Sequence, residues 1–212
     1  MIPRRFAAMA GLLVAPVALG IVVVAGVVTP GYDPMTRTIS RLAVPGMPAA
    51  GAVDWAIALI ALACFGLAVA VEPREIIGRA ALALAGVAFV CAAAIHLDPG
   101  SASATAAHRV ASGVAVLGLT AAPLALGRTY GRMSLILGTA ELGVLGVGLV
   151  LLTTSFAAWG AWERCLLALA LAWIVLVALT IVSNEDTSRA TSAAISSGGS
   201  RSPTSSVTSA NR

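Results

Sequence analysis

Two histidines and a carboxylate, His96, Asp98 and His108, are the side chains of this sequence best equipped for chemistry. Imidazole and carboxylate are the ligand types of an open zinc site, in which a water fills the fourth position and is activated by the metal. His96 closes one apolar stretch, Pro99 pushes Asp98 out of helical geometry, and His108 opens the next stretch after a short connection. So short a link makes the flanking helices antiparallel neighbours, and the three side chains are expected to meet at one mouth. They are read there as a zinc site, as a metal-free polar binding site, or as ordinary loop structure, since Asp before Pro also starts turns.

Other polar residues fall near the same level. Asp33 precedes Pro34 just after the first apolar stretch, and Thr36–Val44 mixes polar and apolar residues as a short interfacial helix would. Ser40 carries a hydroxyl suited to a nucleophile or a metal-water partner, although no Gly-x-Ser-x-Gly elbow surrounds it. Arg37 and Arg41 stand one helical turn apart and suit an anionic headgroup or carboxylate, or lie solvated in the loop. Glu163 and Arg164 open the last apolar stretch, either capping it or closing the mouth, and Trp159 and Trp162 beside them fit an aromatic belt. Glu141 differs from all of these, because it lies deep inside an apolar stretch. A charge there costs about 2.5–3.5 kcal/mol on insertion scales, so it is expected to face the bundle or water.

The elements that position these residues are six apolar stretches, Phe6–Val28, Ala52–Val71, Ala80–Leu97, Val110–Gly127, Met133–Thr153 and Cys165–Val182. Each has the roughly 20 residues that a helix needs to cross a hydrocarbon core ~30 Å thick. Helices alone satisfy their backbone polar groups within one segment in lipid, which predicts an all-α integral membrane bundle of six transmembrane helices. With 59% hydrophobic and 10% charged residues, the chain has too few polar side chains for a water-exposed surface. Residues 1–182 read as one transmembrane domain. Residues 183–212, with Ser or Thr at fourteen of thirty positions, read as a disordered cytoplasmic tail.

Charge and cysteines exclude several classes. The net charge of +4 comes from arginines scattered over short loops, without a single lysine, and this is no nucleic-acid footprint. The Arg-only, Ala/Val/Gly-rich vocabulary points to a GC-rich bacterial genome. Cys64, Cys91 and Cys165 have no paired spacing and read as small packing residues rather than a disulfide or zinc framework. The N-terminal apolar run is too long for a signal-peptide core and ends without a small-x-small cleavage site, so an uncleaved first helix is expected.

Arginine also sets the expected orientation. With the N-terminus inside, Arg4, Arg5, Arg74, Arg79, Arg128, Arg132, Arg189, Arg201 and Arg212 are cytoplasmic, and only Arg37, Arg41, Arg109 and Arg164 are outside. Both termini then face the cytoplasm of a bacterial plasma membrane. Both histidines, Asp33, Asp98 and the tryptophans of the last loop come to the outer face.

Three segments resemble a known pattern: Gly31-Tyr32-Asp33-Pro34 with Thr38-Ile39-Ser40-Arg41-Leu42, Leu97-Asp98-Pro99 with His108, and Gly160-Ala161-Trp162-Glu163-Arg164. Together, over roughly residues 6–182, they resemble the bacterial and archaeal six-helix membrane proteins of the "domain of unknown function 998" family. The resemblance implies a six-helix bundle and brings no established reaction. The chain departs from the pattern at Arg41, where members often carry an acidic residue. More distantly, Ser, Asp and His at helix mouths are similar to those of zinc-dependent membrane hydrolases such as alkaline ceramidases, which carry a further His pair on their last helix. This chain has no His after His108.

Three functions follow from these residues. The first is an outward-facing polar site binding a lipid or other amphiphile, with membrane lipids as partners and no assigned cofactor. The second is a metal-dependent hydrolase acting at the outer leaflet, with zinc on His96, Asp98 and His108. The third is a proton-coupled transporter using Glu141, against which stands the lack of a convincing inverted repeat. Binding is placed ahead of catalysis.

Overall fold

Six helices, each long and apolar enough to cross a membrane, account for most of the described chain. The computed structural model describes residues 3–198, with side chains described through residue 192. The helices are α1 (Arg4–Val28), α2 (Ala50–Ala70), α3 (Ile76–Ala94), α4 (Ala102–Tyr130), α5 (Arg132–Leu151) and α6 (Trp159–Gly198), and no strand occurs among the described residues. Each helix packs on its neighbour in sequence, and α1 closes the ring against α6, which also touches α2 and α4. The core is built from small residues, such as Ala8, Ala15, Ala18, Ala56 and Ala63, that let backbones approach closely. Larger residues, Trp173, Ile174 and Val177, fill the space beside α6.

The buried hydroxyl of Ser134 is paired on both sides. The Ser134 hydroxyl donates to the Pro123 carbonyl (2.9 Å) and accepts from the Trp173 indole N–H (2.8 Å), which ties α4, α5 and α6 together. The carbonyl of Pro123, a proline inside α4, thus accepts a hydrogen bond from a neighbouring helix. Gly131 alone connects α4 to α5, with φ +84 and ψ −176, a backbone region open essentially to glycine only.

Helix ends depart from the apolar stretches in ways with physical causes. Helix α4 begins at Ala102, eight positions before the expected Val110, because the Ser101 hydroxyl accepts the Ala104 N–H and caps it there. Helix α6 begins at Trp159 and carries Glu163 and Arg164 within it. The expected interfacial helix over Thr36–Val44 is reduced to a single 3₁₀ turn, Ile39–Arg41, within a series of turns.

The last helix also runs past its apolar stretch. Through Gly198 the chain continues α6 as helix, and the remaining expected tail, residues 199–212, lies outside the described residues. Thr187, Ser188, Thr191 and Ser192 donate their hydroxyls to carbonyls four residues back, and Asp186 pairs with Arg5 at 2.9 Å. Composition alone predicts no order here, but an existing helix extends at the cost of fixing one residue per added hydrogen bond, without new nucleation.

Candidate functional site

The connection from α1 to α2 folds down onto the start of α6, and this clamp shapes the mouth. The Ala161 N–H donates to the Met35 carbonyl at 2.9 Å. Arg164 Nη1 donates to the carbonyls of Pro34 (2.7 Å) and Arg37 (3.1 Å), and Nη2 donates to the Tyr32 hydroxyl (2.7 Å). That hydroxyl in turn donates to the Arg37 and Thr38 carbonyls at 2.9 and 3.0 Å. Burial pushes the Tyr32 phenol above its ordinary pKa, and its hydrogen bond from Arg164 opposes the rise. Gly160 makes the approach possible, since a Cβ there would overlap the carbonyl oxygens of Arg37 and Pro34. The Gly31–Pro34 and Gly160–Arg164 segments, far apart in sequence, are thus two halves of one clamp.

The clamp delivers Ser40 to His108. Glu163 Oε2 accepts the Ile39 N–H, while Arg41 and Leu42 donate their N–H groups to the Thr38 and Ile39 carbonyls, which fixes the 3₁₀ turn around Ser40. His108 Nε2 lies 3.0 Å from Ser40 Oγ. Its other ring nitrogen, Nδ1, lies 2.7 Å from the Ile95 carbonyl oxygen and 3.1 Å from that of Ala92. These carbonyls are free because α3 ends at Ala94, and a helix leaves its last four carbonyls without intrahelical partners. A carbonyl only accepts, so the proton of the neutral ring sits on Nδ1 and the Nε2 lone pair faces the serine hydroxyl. His108 is 2% exposed.

The three expected zinc ligands do not form a set. His96 Nε2 pairs instead with Asp54 Oδ2 on α2 at 2.9 Å. Asp98 Oδ1 accepts the Gly100 N–H at 2.8 Å, closing its own turn. Both nitrogens of His108 are engaged as described, and among the described residues no group of three or more His, Cys, Asp and Glu is placed to hold one metal ion. The convergence fails because His96 follows the end of α3, where the chain turns it toward α2, while His108 faces Ser40 and the end of α3. Each of the three side chains is engaged with a partner outside the expected set.

What the structure does bring together is two adjoining cavities. A mouth of about 790 Å³ is lined by Arg37, Ser40, Arg41, His108, Arg109 and Glu163 among others. A second chamber of about 420 Å³ runs between the helices, walled by aliphatic residues, Phe89 and Trp162, with Glu141 in its wall. Ser40, His108, Ser112 and Glu163 line both, so they stand at the junction. Glu141 is 2% exposed, and its Oε2 has no hydrogen-bond partner among the described residues.

Of the residues singled out from sequence, Arg37, Ser40, Arg41, His108 and Glu163 share the mouth, and Glu141 borders the inner chamber. Asp33, His96, Asp98 and Arg164 do not line either space. Asp33 accepts from the Thr36 hydroxyl (2.7 Å) and the Met35 N–H (3.0 Å), which hold its carboxyl below the ordinary range. Sequence reasoning passed over Arg109 and Ser112 at the site, and Tyr32 and Asp54 as partners. Ser112 follows His108 by one helical turn, which was the signal available for it.

Comparison with known proteins adds a family. The profile of the family described as "Protein of unknown function (DUF998)" matches residues 12–180, well over half of the chain. No curated protein and no solved structure matches it.

Proposed function

The chain belongs to the DUF998 family, which brings no assigned reaction, and from its own geometry we propose a membrane-embedded site for an amphiphile with an anionic headgroup. One observation carries this reading: a mouth lined by Arg37, Arg41 and Arg109 adjoins an aliphatic chamber, the two sharing Ser40, His108, Ser112 and Glu163. The headgroup occupies the mouth, held by guanidinium groups suited to phosphate or carboxylate. The apolar chain enters the inner chamber, whose volume of about 420 Å³ falls in the ~300–1,000 Å³ range of small-molecule sites. The arginine distribution supports placing this mouth on the extracytoplasmic face of a bacterial plasma membrane, with both termini inside.

The test is lipid retention by native mass spectrometry of detergent-purified protein offered phosphatidylglycerol or phosphatidylcholine. Phosphatidylglycerol is expected to be retained preferentially. Each arginine near an anionic group is worth about 1 kcal/mol, so Arg41→Gln with Arg109→Gln should weaken that retention roughly tenfold or more without loss of helicity. Equal retention of both lipids, indifferent to the double substitution, removes the reading.

A second reading, proton-coupled transport, draws on the unpartnered buried oxygen of Glu141 beside the same chamber. It requires that vesicles containing the protein take up protons when the anionic lipid is added, and that Glu141→Gln abolish the uptake while leaving lipid retention intact.

A further inference from the structure

We propose that Ser40 and His108 are a nucleophile and general base that cleave an acyl ester of the amphiphile held at this site. The inference rests on the amphiphile reading above and adds a reaction to it. Nucleophilic catalysis by serine needs three things: a hydroxyl on a base, a base held in the correct tautomer by a third group, and an exposed path for the substrate carbonyl. Ser40 Oγ and His108 Nε2 are 3.0 Å apart. The third group is a pair of backbone carbonyls, Ile95 and Ala92, which accept from Nδ1 and leave the Nε2 lone pair directed at the hydroxyl. Both residues line the junction between the mouth and the inner chamber.

The location selects the bond. An amphiphile with its headgroup among the arginines and its chain in the aliphatic chamber presents the ester linking them at the junction. Ser40 Oγ attacks the carbonyl carbon as its proton passes to His108 Nε2, and the carbonyl π electrons move onto oxygen. When the tetrahedral adduct collapses, the ester C–O bond breaks, the His108 proton goes to the leaving alkoxide, and the headgroup alcohol departs through the mouth. A water entering from the mouth then attacks acyl-Ser40, gives its proton to His108, and the fatty acid leaves as the proton returns to Ser40 Oγ. The sum is ester plus water giving acid plus alcohol, with no redox change. Arg41 and Arg109, the chain neighbours of Ser40 and His108, both line the mouth and place positive charge beside the developing oxyanion.

This arrangement differs from a carboxylate-assisted triad in one respect. Neutral carbonyls orient the imidazole but stabilise its protonated form less than a buried carboxylate would, which suits slow turnover. Glu163 does not fill that role, because its Oε2 is engaged by the Ile39 N–H. It is a positioning residue for the Ser40 turn.

The experiment uses the full chain in detergent and in phosphatidylglycerol vesicles. A fluorophosphonate probe should modify Ser40, identified by peptide mapping of the wild-type protein, and the vesicles should release fatty acid. Ser40→Ala should abolish both, and His108→Gln should slow both by a factor of about a hundred or more, the usual contribution of a general base. His96→Gln should match wild type in both assays. If the wild-type protein retains phosphatidylglycerol but Ser40 stays unmodified and no fatty acid appears, the pair is only a tether between loop and α4. The hydrolase proposal then falls while the amphiphile reading stands. Release that persists in Ser40→Ala overturns the proposal as well. Absence of both lipid retention and labelling removes the two readings together.

Discussion

The two ends of the bundle differ in what several of their arginines meet. At the end where α1 starts and α2 finishes, Arg4 donates to the Ala70 carbonyl at 2.7 Å and pairs with Glu72 at 3.0 Å, while Arg79 donates to the Ala68 carbonyl at 2.9 Å. These side chains tie off the last carbonyls of α2, where positive charge also complements the helix dipole. At the mouth end Arg164 is spent in the same manner, on loop carbonyls and Tyr32. Arg37, Arg41 and Arg109 are not: they line a cavity, and among the described residues they form no ion pair. The histidines divide likewise, His96 against a carboxylate at the bundle's half-exposed edge and His108 against a hydroxyl at the cavity junction. An arginine whose donors are consumed within the fold is structure. One left facing a cavity is available to a ligand.

The largest expected effect breaks the mouth end alone. Gly160→Ala sets a Cβ against two backbone carbonyls of the clamp, which have less freedom to yield than a side chain. The cost should be about 1–3 kcal/mol, the range for forcing an extra carbon into packed structure. Thermal unfolding in detergent should show a lowered midpoint, and phosphatidylglycerol retention should fall with it because Ser40 is displaced from His108. Gly143→Ala, whose Cβ would meet open space and which lines neither cavity, is the control and should not lower the midpoint.

A smaller effect is expected from the opposite end. Arg4→Gln removes a charge-assisted bond to α2 and an ion pair, but the Arg4 side chain is 38% exposed, so the loss should be about 1 kcal/mol. Lipid retention should be unaffected. A variant that unfolds no more easily yet loses the lipid would break the division between the two ends.

His96→Gln should cost less again, below about 1 kcal/mol, since the pair with Asp54 is partly solvated on both sides. Retention of the anionic lipid should remain at the wild-type level. Its loss would place His96 in the site after all and undo the contrast between the histidines.

The six spans are legible in the sequence because a bilayer imposes a length on apolar stretches that no soluble fold does. Their polar margins are not. The first turns of α4 and α6 contain Ser, Thr, Glu and Arg, which a hydropathy window discards although Ser101 caps one of them outright. Ser40 and His108 each stand out by type, but their meeting depends on the clamp that folds residues 29–49 onto α6, and no local spacing encodes a contact across 68 positions. For the same reason His96 and Asp98 look like partners by proximity in sequence. The partner His96 has, Asp54, sits near the edge of an apolar stretch 42 residues earlier. Glu141 is the opposite case, since the cost of a carboxylate at that depth already turns it inward.

The smallest expected effect tests whether the clamp's outer turn is set by charge. Asp33 is fully exposed, and its carboxyl is held below its ordinary value of 3.8, first by the Thr36 hydroxyl and then by the Met35 N–H. A folded-state pKa below the unfolded one means that the unfolded chain binds the proton more readily. The stabilisation is therefore fully present above the ordinary value, and is lost as pH falls through the depressed one. Asp33→Asn keeps an accepting oxygen but carries no charge at any pH. At about pH 6 the variant should open the turn slightly more often than wild type, read as faster proteolysis of the 29–49 loop, and the two should converge in acid once the Asp33 carboxyl is protonated in the folded state. A difference that persists unchanged into acid would show that the carboxylate charge is irrelevant and that side-chain shape alone sets the turn. Because the loop still carries Tyr32 and the carbonyls that Arg164 holds, neither outcome should alter lipid retention at neutral pH.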